Sequence, residues 1–379
     1  MSKLKYGMIG GGPGAFIGAV HRTALALDGR GELVAGVFSS DPKKSAEHAN
    51  SWGIDRSRVY TNFSEMAQRE AALPQDQRID AAIVVTPNHL HEPAATAFLN
   101  AGIPVICDKP MAATLEQAQR MHALAQQTKV PLLVTYNYTG YPLVIHAQHL
   151  IREGRLGEIR KVVAHYHQGW LSKPIEKDKQ KQASWRTDPA QAGAGALGDI
   201  GSHVENLVAF VSDLAIESLS AEVSSLVKGR QVEDDAAITL RYTNGARGVY
   251  SISQICIGRE NDLKLEVFGT KGSLAWRQEN PNELRLSLAD GSTQILTRGS
   301  VEGRAKAATR LPAGHPEGFF EAFANLYESI PHVLLFWRHN KPFDGVVPIP
   351  TSLDGLRGLQ FIDACLRSAR DNGAWVTLT

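Results

Sequence analysis

The chain reads as an α/β protein: an N-terminal Rossmann dinucleotide-binding domain, then a C-terminal α/β domain built on a mainly antiparallel open sheet. Three observations predict this. Up to about residue 135, short apolar runs alternate with amphipathic stretches, the pattern of a parallel, doubly wound sheet. After about residue 155, strand-like runs follow one another across turn signals such as Thr243-Asn244-Gly245 and Ala289-Asp290-Gly291. The length, 379 residues at 43% hydrophobic, suits two domains that each build a core without staples. We expect domains over residues 1–135 and 136–379.

In the first domain, strands are expected over Leu4–Ile9, Leu33–Phe38, Asp80–Thr86, Val105–Asp108 and Leu132–Tyr136. Their nearly continuous apolar character is what strands covered on both faces require. Helices are expected over Phe16–Leu27, Lys43–Trp52 behind the cap-like Asp41-Pro42, Pro93–Asn100, and Leu115–Gln127 behind Thr114. In the second domain, strands are expected over Val162–Tyr166, Ser218–Leu226, Ala237–Tyr242, Arg247–Ile255, Leu263–Phe268, Ser273–Trp276 and Leu284–Leu288. Helices accompany them at about Ser202–Ser212, Glu317–Ile330 and Ser352–Arg370, and the polar run Lys173–Gln182 reads as a solvated loop.

Charge and cysteine usage narrow the function classes. Lys+Arg 40 against Asp+Glu 39 leaves a net charge of +1, without the basic excess of a nucleic-acid binder. Cys107, Cys256 and Cys365 are scattered, which suits a reducing compartment and makes no metal-ligand spacing. The charged start Met1-Ser2-Lys3-Leu4-Lys5-Tyr6 has no signal-peptide core, and the longest apolar run, Val333–Trp337, is far too short for a bilayer. A cytoplasmic protein is expected, with no metal, membrane or nucleic-acid partner. The one oddity is glycine: 34 residues, where a chain of this length averages about 27. The surplus gathers in two clusters.

The first cluster, Gly10-Gly11-Gly12-Pro13-Gly14-Ala15, lies directly between a strand and a helix. Glycines there permit a tight turn and let backbone N–H groups reach a pyrophosphate, while the helix N-terminus adds partial positive charge. Gly10, Gly12, Pro13, Gly14, Ala15, Phe16 and Ile17 are therefore expected cofactor contacts. A dinucleotide fold usually ends its second strand in an acid for the ribose hydroxyl; here Ser39 and Ser40 stand in that place. Lys43 or Lys44 could pair with a 2′-phosphate, and Asp41 pulls the other way. The choice between NAD and NADP stays open on these residues, with a lean to NAD.

Ligands of such sheets bind outside the carboxyl ends of the strands. Two of those ends are chemically loaded: Thr86-Pro87-Asn88-His89-Leu90-His91 and Cys107-Asp108-Lys109-Pro110. Thr86, Pro87, Asn88, His91, Asp108 and Lys109 are expected beside the cofactor. The ammonium of Lys109 could hold a substrate hydroxyl and stabilise developing alkoxide charge.

The second cluster, Gly193 to Gly201, leads into a helix through Gly198-Asp199-Ile200-Gly201-Ser202-His203. Asp199 and His203 are four apart, so on a helix they share a face. A carboxylate beside an imidazole makes a credible general base near neutral pH. The plainer alternative is that Asp199 caps the helix and His203 packs in the core.

Together, the Gly10–Gly12 turn, Thr86 to His91, Asp108-Lys109-Pro110 and Gly198 to His203 resemble the Gfo/Idh/MocA family of sugar and polyol oxidoreductases over essentially the whole chain. The resemblance implies Lys109 as catalytic lysine and Asp199 with His203 as the acid–base pair. It places Trp185 and Arg186 near the cofactor, and Asn137 at the nicotinamide or sugar. Three departures stand out: Gly18 and His21 lie further along a stretched glycine turn, Asp replaces Glu in the lysine motif, and Ser39 replaces the acid. Substrate contacts are expected from Lys109, Asn137, Asp199 and His203, and from the second domain at Tyr138, His165, His167 and His315. His315 ranks first among the latter, because a polar side chain on a Pro-fixed helix entry is well placed to face a cleft. The implied reaction is NAD(P)-dependent interconversion of a secondary hydroxyl and a ketone on an inositol, hexose, anhydrosugar or glycoside, by a homodimer or homotetramer. Two alternatives remain: a non-catalytic sensor of the same fold, and a reductase of an imine or conjugated double bond.

Overall fold

The computed structural model describes residues 3–178 and 180–378. Met1 and Ser2 of the charged start, Lys179 of the polar run, and Thr379 lie outside the described residues. The chain divides into two compact units, Met1–Asn137 with Phe319–Leu356, and Tyr138–Gly318 with Arg357–Thr379. Residues 319–356, grouped with the second domain on sequence grounds, thus fall in the first unit.

In the first unit the elements run β1 (Leu4–Gly10), α1 (Phe16–Leu27), β2 (Gly31–Val37), α2 (Pro42–Ser51), α3 (Phe63–Ala71), β3 (Ala81–Val85), α4 (His91–Asn100), β4 (Val105–Cys107), α5 (Leu115–Thr128) and β5 (Leu132–Val134). The five strands pair in parallel in the order β2-β1-β3-β4-β5. The order turns back at β1, so the crevice beyond the carboxyl ends of β1 and β3 is the topological switch point. Every residue of β3 is buried, as a strand covered on both faces must be. Helix α3 was not foreseen. Its buried face carries Glu70, held by Arg58 and Tyr60, and that carboxylate hides the apolar period.

The return segment explains itself by packing. Ala324, Phe323, Tyr327, Ile330 and Leu334 join Tyr6, Met8, Val20, Leu25 and Ile83 in one buried cluster. Their helix was expected to stop near Ile330, yet it runs Phe319–His339 with Pro331 inside it. Buried neighbours on both sides of Pro331 outweigh its poor helix propensity.

The second unit supplies α6 (Pro142–Arg152), β6 (Ile159–His167), α7 (Lys181–Arg186), α8 (Pro189–Ala192), a π-turn Leu197–Gly201, α9 (Ser202–Ser212), β7 (Ile216–Ser224), β8 (Asp235–Tyr242), β9 (Arg247–Ser253), β10 (Asp262–Gly269), β11 (Gly272–Arg277), β12 (Glu283–Leu288), β13 (Thr293–Thr297), α10 (Gly303–Ala307) and β14 (Val376–Thr377). Among the described residues these strands form a nine-stranded sheet, β13-β12-β11-β10-β6-β9-β8-β7-β14. All of its pairings are antiparallel except β6 with β9. Helix α9 packs on β6 and β10, and α6 on β11 and β12. Along β6 the covered face is Val162, Ala164 and Tyr166, each buried, while Val163, His165 and His167 point the other way. Among the described residues no helix is long and apolar enough to cross a membrane.

Candidate active site

At the carboxyl end of β1 the chain turns through Gly10 at φ 86° and Gly14 at φ 75°, a region that favours glycine. The turn delivers the chain to α1, whose N-cap Ala15 makes no side-chain cap and whose first turn holds no acid. Pro13, Gly14 and Phe16 are exposed there. An uncapped helix start of this kind receives an anion well. At the end of β2, Asp41 is committed to capping α2, accepting from the backbone N–H groups of Lys43 and Lys44. Ser39 is half-buried and Ser40 exposed. Further along the rim, Thr86 Oγ1 and Asn137 Nδ2 are buried with no hydrogen-bond partner. These two orphaned atoms and the uncapped helix fit a dinucleotide laid along the strand ends.

Lys109 sits at the rim, half-buried, in the turn that follows β4, and its peptide bond to Pro110 is cis. Beneath it, Asp108 accepts from Thr135 Oγ1 at 3.0 Å and lies 3.9 Å from His21 Nε2. Burial alone pushes the Asp108 carboxyl up, but His21, then Lys109 and His91, hold it down at about 2. His21 is itself buried in α1, its Nδ1 2.7 Å from the Tyr327 hydroxyl. His91 is also buried, so its ring supports the strand ends from below rather than lying open at the rim.

In the second unit, Asp199 lies inside the π-turn and His203 in the first turn of α9. Asp199 therefore does not cap the helix. Its carboxylate accepts from Gln254 Nε2 at 2.8 Å on one oxygen and from Arg186 Nε at 3.3 Å on the other. The Arg186 guanidinium lies over the Trp185 ring, so this pair supports Asp199. His203 is buried, its ring edge-on to Tyr138 at 4.6 Å and tilted against Tyr166 at 6.3 Å. Burial pushes both phenols above the ordinary range, so both remain protonated near neutral pH.

Sequence reasoning missed the residues that tie these groups together. Gln254 reaches Gln168 Oε1 at 3.2 Å, and Gln168 donates to Asn261 Oδ1 at 2.8 Å. Asn261 Oδ1 also accepts from Tyr166, whose hydroxyl is 2.6 Å from that of Tyr138. A continuous polar chain thus runs from Asp199 to the two rings around His203. Glu233 holds the approach loop, its carboxylate accepting from Leu197 N and its carbonyl from Ala196 N. Because Glu233 is buried, its carboxyl is raised.

The structure does not bring every candidate together. His165 and His167 stack on one another at 4.6 Å on the sheet face opposite Tyr166, away from Asp199 and His203. With Asp262 they place three ligand atoms within 4.8 Å, but Asp262 is already paired with Arg259 and Arg277, so the group reads as an ion-pair cluster. His315 is exposed, and its carbonyl accepts from Arg298.

The parallel sheet with its glycine turn at the switch point places this chain among the dinucleotide-binding oxidoreductases. A profile described as "Oxidoreductase family, NAD-binding Rossmann fold" matches residues 4–136, and one described as "GFO/IDH/MocA C-terminal domain" matches residues 144–275. The chain belongs to the Gfo/Idh/MocA family, whose members include sugar and polyol dehydrogenases. It is 30% identical over 382 residues to the uncharacterized oxidoreductase YfiI of Bacillus subtilis (strain 168), covering 98% of this chain and 96% of that one. It is 29% identical over 328 residues to the levoglucosan dehydrogenase of Pseudarthrobacter phenanthrenivorans, covering 79% of each. The crystal structure of an inositol dehydrogenase homolog from Azotobacter vinelandii, complexed with NADH and myo-inositol, superposes with a TM-score of 0.92 at 33% identity, over 99% of this chain and 97% of that one.

Proposed function

We propose that this protein is an NAD-dependent dehydrogenase that interconverts a secondary hydroxyl and a ketone on a cyclic polyol or sugar. The observation that carries this reading is the Asp199 carboxylate, held at both oxygens in the turn leading into a buried His203. When bound, the nicotinamide supplies the hydride acceptor or donor. His203 takes the hydroxyl proton, and the nearby Asp199 charge supports the imidazolium that results. Lys109 holds the reacting oxygen and steadies alkoxide charge as it develops. Tyr138, Gln168 and Asn261 offer hydroxyl and amide groups suited to a neutral, polyhydroxylated ligand. The A. vinelandii homolog complexed with myo-inositol and the levoglucosan dehydrogenase support that substrate class.

NAD is the cofactor we assign, on the support of the NADH in the A. vinelandii homolog. Dissociation constants for NADH and NADPH test it, and tighter NADPH binding overturns it. The uncovered sheet face, with Val249 and Phe268 exposed, supports a homodimer or homotetramer, which sedimentation measures directly. The reaction itself is tested by following nicotinamide absorbance across inositols, hexoses, anhydrosugars and glycosides. Turnover on none of them, with NADH bound, overturns the dehydrogenase and leaves a sensor. Loss of turnover by orders of magnitude in both Lys109→Ala and His203→Ala, with NAD binding kept, is the expected result.

A further inference from the structure

His91 opens α4 from beneath the rim that carries Lys109, and only 1% of its surface is exposed. Its ring spans two neighbouring strand ends: Nε2 lies 2.9 Å from the Thr86 carbonyl after β3, and Nδ1 lies 3.0 Å from the Pro110 carbonyl after β4. A carbonyl oxygen only accepts. A neutral imidazole has one N–H and one lone pair, so it can bond one of these carbonyls and must oppose the other. The imidazolium donates to both.

Burial is the largest influence and leaves the ring below its ordinary range, against the smaller upward pull of Asp108 and of the backbone of Thr86, Pro110 and Met111. The two carbonyl acceptors are the geometric ground for the second proton. Asp108, just past β4, is the charged group that bears on the ring. On the other elements packed against α4, Glu70 of α3 is held by Arg58 and Tyr60, and Arg120 of α5 is bonded to Glu92. Asp108 is braced from a further direction by Thr135 and His21.

We propose that His91 is a positioning residue for Lys109: as an imidazolium it donates to the Thr86 and Pro110 carbonyls and so fixes the turn that presents the lysine. The inference rests on the dehydrogenase reading for its consequence, but not for its observable. When the ring loses its proton, one of the two bonds is lost and a lone pair faces a carbonyl. The Lys109 turn then loosens while the fold stands.

The test is the protonation state of the ring in the full-length protein, with and without NAD+. Nitrogen-15 histidine labelling reads it, and the resonance lost in His91→Gln, or in His91→Asn if the first does not fold, identifies it. Two protonated ring nitrogens at neutral pH are expected, giving way to one as pH rises, with kcat falling across the same range. His91→Gln keeps one donor without the charge; its kcat should drop about 10- to 100-fold and lose that alkaline fall. A single protonated nitrogen at neutral pH overturns the proposal, as does wild-type kcat in the variant. Unchanged turnover in Lys109→Ala would instead sink the dehydrogenase reading and leave the protonation of His91 as measured.

Discussion

Replacing Gly195 by alanine should damage the reaction through a single steric contact. An added Cβ would lie 2.0 Å from the Glu233 carbonyl oxygen, 2.9 Å from Val232 Cγ2 and 3.1 Å from the Glu233 carbonyl carbon. Ordinary contact starts at 3.4 Å, so the loop and the segment leading into β8 must part by about 1.4 Å, and the first obstacle is backbone rather than a side-chain tip that can swing. Two bonds stand in the way of that movement. Ala196 N donates to the same carbonyl at 2.9 Å, and Asp199 N donates to Gly195 O at 2.9 Å. Overpacking of this kind costs roughly 1–3 kcal/mol, and a buried polar group left unpaired adds about 1–3 kcal/mol. The second bond carries the displacement into the π-turn, and misplacement by about 1 Å can cost on the order of 100-fold in rate. Urea unfolding measures the first effect, and steady-state turnover on the polyol found by the substrate screen measures the second. Gly201→Ala is the comparison, since its Cβ meets nothing nearer than 3.6 Å. If Gly195→Ala matches Gly201→Ala in both stability and kcat, the clamp by Glu233 does not govern Asp199.

Three further outcomes follow from the charges. Asp108, held at about 2 against an ordinary 3.8, adds stability that is present above the ordinary value and lost as pH falls through the lower one. Asp108→Asn should therefore trail the wild type by about 2 kcal/mol near neutral pH, with the gap closing in acid; a gap that ignores pH in urea titrations refutes this. Glu233 is raised by burial, so its contribution fades as pH rises through the folded value. Glu233→Gln keeps an acceptor for Leu197 N and should melt at or above the wild type under alkaline conditions, an advantage that vanishes in acid; a lower alkaline Tm argues against it. Arg298→Met leaves the buried Glu317 carboxylate without its counter-charge, still held by the backbone N–H groups of Arg310 and Leu311, and should cost about 3–5 kcal/mol in urea unfolding. A loss below about 1 kcal/mol would mean that those amides or water suffice for that carboxylate.

Local signals carried most of the fold. Strand and helix periods placed the first five strands within a few residues and gave Phe16–Leu27 and Ser202–Ser212 with their observed ends. Where a carboxylate sat on the buried face, as Glu70 does in α3, the period was hidden. The return of residues 319–356 to the first unit was not legible, because nothing local says which core Phe323 and Tyr327 will join. In the second unit, spacing singled out Asp199 and His203, but helical geometry would have pointed the two along one face. The π-turn is not the α-helix that this reading assumes, and in it the carboxylate is held by Arg186 and Gln254. Gln168 and Gln254 have no motif. They meet because β6 and β9 run parallel as neighbours, so the residues just past their ends stand side by side. That adjacency is a property of the sheet order, which no local pattern encodes.

The two glycine clusters look alike in sequence, yet the chain uses them for different physical reasons. In the first, Gly10 and Gly14 take positive φ, so an L-residue is resisted by its own backbone, and the benefit is a turn that delivers the chain to a helix start with no side-chain cap. In the second, Gly195 needs no such conformation; it is excluded from bearing a Cβ by the Glu233 carbonyl, and the benefit is close packing of a loop. A glycine surplus therefore locates sites without naming their chemistry. The chemistry has to come from what the turns present: a helix start with no side-chain cap in one, and in the other a carboxylate already bound at both oxygens in the turn before a buried imidazole.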